Sequence, residues 1–125
     1  MNFLIRTSGG PAPKNQNIGY GHLFRSINLA KSLSLKKTYF AIEDFGGSKQ
    51  ILRNHGIDKI NIFKKNIKLE SDINKTKKII HENSIDMLII DKRKISNTYL
   101  QKLNSVVKTV VIYDIFDYNF SSDLV

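Results

Sequence analysis

Short apolar runs alternate with amphipathic stretches along this chain, the pattern of βα units laid on a parallel sheet. Residues 3–6 predict a first strand, followed by a polar, Gly- and Pro-rich loop over residues 7–18 that holds both prolines. A first helix is expected over residues 21–34, where Leu23, Ile27 and Ala30 fall at i, i+4 and i+7 and place one face on the sheet. Residues 38–42 predict strand two. Gly46-Gly47-Ser48 then breaks the chain and opens a short helix through Ile51 and Leu52, closed by Gly56. A short third strand is expected around residues 59–63. Helix three follows over residues 69–82, with Leu69, Ile73 and Ile80 on one face and Lys75 and Lys78 outside.

Met87-Leu88-Ile89-Ile90 is an uninterrupted apolar run, as expected of a fourth strand covered on both sides. Ser96 is the expected N-cap of a fourth helix carrying Leu100 and Leu103, and residues 109–113 predict strand five. No repeat, low-complexity tract or interdomain linker interrupts this order, so the expectation is one three-layer α/β domain. Residues 121–125 read as the opening of a sixth strand. The chain is therefore expected to be the amino-terminal half of a longer protein.

Composition narrows the possibilities. At 125 residues, with 41% hydrophobic positions, the chain is long enough and apolar enough to bury a core. It has no cysteine, which excludes a disulfide framework, a zinc–thiolate site and a cysteine nucleophile, and fits a reducing, cytoplasmic setting. No apolar run approaches the roughly 18 to 20 residues of a membrane span, and the first residues lack the features of a secretory signal. The formal charge of +9 raises the question of nucleic acid. The excess is mostly dispersed lysine, with only Arg6, Arg25, Arg53 and Arg93 as arginine, which argues for a solvated basic surface instead.

In open parallel sheets, ligands bind outside the carboxyl ends of the strands. Reading those ends yields Arg6 and Thr7 after strand one, Asp91 after strand four and Asp114 after strand five, while the first loop delivers His22 to the first turn of helix one. Gly19-Tyr20-Gly21-His22 permits close backbone approach before a helix. It is neither a dinucleotide fingerprint nor a Walker loop, and by spacing alone it is as compatible with a tight turn. At a helix N-terminus an imidazole is disfavoured as a cation and can accept a proton. His55 and His81 read as surface residues, and the three histidines have no metal-ligand spacing. Asp91 and Asp114 could serve a ligand, or cap the next loop; Lys92 and Arg93 could neutralise Asp91. No metal and no cofactor is expected.

The run Ile18-Gly19-Tyr20-Gly21-His22-Leu23-Phe24-Arg25-Ser26-Ile27-Asn28-Leu29-Ala30 resembles the I-G-x-G-H-x-x-R-x-x-x-L-A motif of the pseudaminic acid pathway UDP-sugar hydrolases. These are the UDP-2,4-diacetamido-2,4,6-trideoxy-β-L-altropyranose hydrolases, grouped with spore coat polysaccharide biosynthesis proteins. Leu88-Ile89-Ile90-Asp91 is similar to the family's strand-four segment, usually continued as D-H-Y. Val111-Ile112-Tyr113-Asp114 through Ser122-Asp123-Leu124-Val125 is similar to a segment that often reads V-I-D-D before a later D-L-L/V. The resemblance implies the Rossmann-like amino-terminal half of a GT-B-like fold, with a carboxyl-terminal domain supplying most uridine diphosphate contacts. It also implies hydrolysis at the anomeric carbon with His22 as general base. On this reading Arg6, Gly19, Tyr20, Gly21, Arg25, Asp91, Arg93 and Asp114 line the UDP-sugar. Asp91-Lys92-Arg93 stands where D-H-Y is usual and Tyr113 where an Asp is common, which leaves the particular sugar open. A GT-B glycosyltransferase using a UDP-sugar, a non-catalytic sugar-nucleotide-binding domain and a basic nucleic-acid binder are the alternatives.

Overall fold

A computed structural model describes residues 1–9, 21–44, 46–91 and 95–112. Its elements run β1 (Phe3–Gly9), α1 (Gly21–Leu33), a 3-10 turn (Leu35–Lys37), β2 (Thr38–Asp44), α2 (Ser48–Asn54), β3 (Ile60–Phe63), α3 (Leu69–Glu82), β4 (Met87–Asp91), α4 (Asn97–Asn104) and β5 (Lys108–Val111). The five strands form one sheet in the order β3-β2-β1-β4-β5, and every pair is parallel. This is a Rossmann-like three-layer fold, as the alternation of runs predicts.

Side chains alternate between the two faces along each strand. Ile5, Phe40, Ile42 and Ile89 pack with Leu23, Ile27 and Ala30 of α1 and Leu52 of α2. Leu4, Ala41, Leu88 and Ile90 pack with Ile73, Ile79 and Ile80 of α3 and Tyr99 and Leu103 of α4. Two apolar layers thus sandwich the sheet, which explains why β4 carries no polar alternation.

Helix α3 spans the residues expected for it, and Ser96 caps α4 by accepting a hydrogen bond from the Tyr99 backbone N–H at 3.1 Å. Ser96→Ala is expected to cost about 1 kcal/mol, read as a lower denaturant midpoint at unchanged slope. Gly56, just past α2, has a φ of 82°, the left-handed conformation that ends this helix.

Four strands run further than expected: β2 continues to Asp44 and β4 to Asp91, and β1 and β5 are extended as well. Thr7, Ser8 and Gly9 continue β1 beside Ile42, Glu43 and Asp44 of β2. Ladder hydrogen bonds do not require apolar side chains, so the loss of hydrophobic pattern after Arg6 does not end the strand. Strand β5 begins one residue earlier than expected, at Lys108, and its expected last residue, Tyr113, lies outside the described residues.

Candidate functional site

Helix α1 carries two stripes. Leu23, Ile27 and Ala30 enter the core. Beside them His22, Arg25 and Ser26 stand at i, i+3 and i+4, a spacing that gathers side chains on one side of a helix. Opposite lies the end of β4. Alternation after Met87 and Ile89 turns Asp91 toward α1, and its side chain is fully buried there.

These residues meet. His22 Nδ1 lies 2.8 Å from Asp91 Oδ1. Arg25 donates to both carboxylate oxygens, from Nη2 to Oδ1 at 2.6 Å and from Nε to Oδ2 at 3.0 Å. Ser26 Oγ donates to Oδ2 at 3.3 Å. Thr7 of β1, also fully buried, is the register partner of Asp91 in the neighbouring strand. Burial by itself would raise the Asp91 carboxyl, but the hydrogen bonds from His22 and Arg25 and the charge of Arg25 outweigh it. Asp91 is therefore held below the ordinary aspartate value of 3.8.

That shift has a signed consequence. A carboxyl whose folded value lies below its unfolded one contributes stability that is present above the unfolded value and is lost as pH falls through the folded one. Acid titration of stability is expected to show a loss beginning near the ordinary aspartate range and continuing below it. Asp91→Asn should flatten that limb; an identical acid limb in the variant would remove Asp91 as its source.

The rest of the expected site divides. Gly21 opens α1 at the same end, and among the described residues a Cβ built on it meets nothing within 4 Å. Gly19, Tyr20, Arg93 and Asp114 lie outside the described residues, as do Lys92 and Tyr113. Arg6 does not join the His22 group. Alternation along β1 turns it with Leu4 to the α3/α4 face, where it is fully buried.

There Arg6 donates to Asp72 through Nε at 3.3 Å and Nη2 at 2.7 Å, to Glu43 through Nη2 at 3.3 Å, and to the Thr7 carbonyl. Its guanidinium carbon also lies 4.7 Å from the centre of the Phe63 ring. Asp72 further accepts from Tyr99 Oη at 2.8 Å and Thr76 Oγ1 at 3.1 Å. Burial opposes the Arg6 cation, yet hydrogen bonding and charge from Asp72, with smaller help from Tyr99 and Glu43, keep its pKa raised. Burial also pushes the Tyr99 phenol above its ordinary range, with Asp72 adding to the shift and Arg6 opposing it, so Tyr99 remains a donor. The expected substrate contact of Arg6 is corrected: a side chain with no exposed surface, tied to α3 and β2, holds the fold instead.

Sequence reasoning missed Asp72, Glu43, Tyr99 and Ser26 as parts of polar clusters. For Asp72 a signal existed. It adjoins Ile73, at the start of the apolar side of α3, with Thr76 one turn on, where a carboxylate requires a buried partner. Among the described residues, no group of three or more His, Cys, Asp or Glu is placed to hold a metal ion, and no helix is long and apolar enough to cross a membrane. Comparison of the chain with protein-family models, curated proteins and solved structures finds no match.

Proposed function

We propose that this chain is the amino-terminal domain of a two-domain, GT-B-like nucleotide-sugar hydrolase in which His22 is the general base. The observation that carries the reading is the His22–Asp91 pair, 2.8 Å apart at the carboxyl end of a parallel sheet. The resemblance of residues 18–30 to the UDP-sugar hydrolase motif supports it. In the reaction, His22 takes a proton from water as the water oxygen bonds to the anomeric carbon. The bond from that carbon to the phosphate oxygen breaks, and UDP departs with the electron pair. Because UDP is a stable leaving group, activation of water on the opposite face is the main task left to the protein, as in an inverting glycoside hydrolysis.

The test is UDP release by the gene product that carries this domain, assayed on UDP-linked N-acetylated sugars, including diacetamido-trideoxy sugars, with and without a sugar acceptor. Release in water alone supports hydrolysis. Release only with an acceptor would assign transfer, and none under either condition would sink the reading.

Gly21 offers an independent check. It sits in the first turn of α1, and among the described residues nothing lies within 4 Å of a Cβ built on it. Gly21→Ala is therefore expected to leave stability unchanged or raise it by up to about 1 kcal/mol. It should lower UDP release if the sugar or phosphate approaches this backbone. Full activity in a stable Gly21→Ala protein would remove that contact.

A further inference from the structure

The geometry points to Arg25 as a positioning residue: it clamps Asp91 so that His22 keeps its proton on Nδ1 and presents Nε2 as the reactive nitrogen. The kinetic consequence rests on the proposed hydrolysis; the placement of the proton does not.

A guanidinium nitrogen donates and never accepts. Arg25 Nη2 lies 2.6 Å from Asp91 Oδ1 and also 3.0 Å from His22 Nδ1, while Nδ1 lies 2.8 Å from the same Oδ1. Only two arrangements fit neutral imidazole. In one, Nδ1 is bare and accepts from Arg25, which sets its lone pair against a buried anionic oxygen at 2.8 Å. In the other, Nδ1–H donates to Oδ1, and the 3.0 Å approach of Arg25 to the ring is a contact without a hydrogen bond. A charge-assisted bond to a fully buried carboxylate outweighs one donor–donor contact. The second arrangement wins and leaves Nε2 to accept a proton. The His22 side chain retains 15% exposure, and among the described residues Nε2 has no hydrogen-bond partner.

Arg25 is what makes Asp91 a fixed reference. Its Nε and Nη2 grip the two carboxylate oxygens separately and so set the plane of the group, and Ser26 adds a third donor to Oδ2. The ammonium of a lysine is a point charge that cannot reproduce this two-point hold. A guanidinium with Nε and Nη2 both engaged on Asp91 is built to orient the carboxylate. A residue whose task is to position Asp91 should leave the KM of a sugar nucleotide unchanged.

The tautomer is read directly by long-range proton–nitrogen NMR on the chain, at a pH where His22 is neutral. The parent is expected to carry hydrogen on Nδ1 and none on Nε2. Arg25→Met and Arg25→Lys relieve the donor–donor contact at Nδ1 but also release the two-point hold that keeps Oδ1 facing the ring. With the carboxylate free to turn away, both should shift His22 toward the Nε2–H form that dominates for imidazole side chains in water. A parent already in the Nε2–H form, or a folded Arg25→Lys protein with an unchanged tautomer, overturns the proposal. In steady-state UDP release, Arg25→Lys is expected to lower kcat by about 10²-fold, the scale of a small misplacement of a reacting group, with KM little changed. A raised KM at retained kcat would make Arg25 a substrate contact and overturn its positioning role. If the parent releases no UDP, the hydrolase reading fails, and the NMR result still decides what Arg25 does.

Discussion

Replacing His22 with alanine is expected to lower UDP release by about 10²- to 10⁴-fold, the usual contribution of a general base. The loss should fall on kcat. On the proposed mechanism departure of UDP needs no proton from this side chain, so what the variant lacks is the acceptor for the proton of the attacking water. Stability should change little by comparison. The ring is partly exposed, and Asp91 keeps its bonds from Arg25 and Ser26, so no buried carboxylate is stranded. The effect on folding is expected near the worth of one ordinary hydrogen bond, about 1 kcal/mol. Turnover and thermal unfolding measured on the same preparation separate the two. Unchanged turnover in folded His22→Ala protein would remove His22 from the chemistry, whatever the fate of the UDP-sugar assignment.

The second large effect is on stability and lies across the sheet. Arg6→Met removes the fully buried cation from its cluster and leaves Asp72 and the largely buried Glu43 facing the space it filled. Breaking a buried pair from one side costs about 3–5 kcal/mol, because the stranded charge is more costly than the lost attraction. The thermal midpoint should drop on the order of 10 °C or more. Removing both partners tests the cause. Arg6→Met/Asp72→Leu should recover part of the loss, since it takes away the stranded Asp72 carboxylate as well as the guanidinium. A single-variant loss below about 1 kcal/mol would mean that the cluster is not the lock described. Below its unfolding transition, Arg6→Met should release UDP within a few-fold of the parent, whereas a true substrate contact would show in KM.

Much of the architecture was legible because two periodicities are written into the chain. The i, i+4 and i+7 apolar positions of residues 23–30 could serve only a helix lying on a surface, and the bare apolar run of residues 87–90 only a strand covered twice. Strand ends were less legible. Beyond Arg6 the residues are polar, and what keeps Thr7 to Gly9 in the sheet is backbone pairing with β2, which leaves no mark on side-chain pattern.

His22 and Asp91 were both readable as edge residues, and their separation of 69 positions is closed by register and alternation alone. Arg25 was readable as part of the same motif, but its partner was not. An arginine one turn beyond a candidate base looks the same in sequence whether it faces a ligand or a carboxylate on the neighbouring strand. Glycine at 21 was legible as permissive, and only the open space around it shows that the described fold does not demand it.

By itself, the sequence determined the layer order, the helix that carries His22 and the edge at which polar groups collect, because these follow from local periodicity and from where apolar runs stop. Tertiary structure alone decided which face each polar side chain of a doubly covered strand would take. Arg6 and Asp91 both come from strands packed on both sides, where neither face is marked by polarity. One turned to α3 and became a structural ion pair; the other turned to α1 and became the anchor of His22. That choice rests on strand register and on partners tens of residues away, and local pattern carries no record of either.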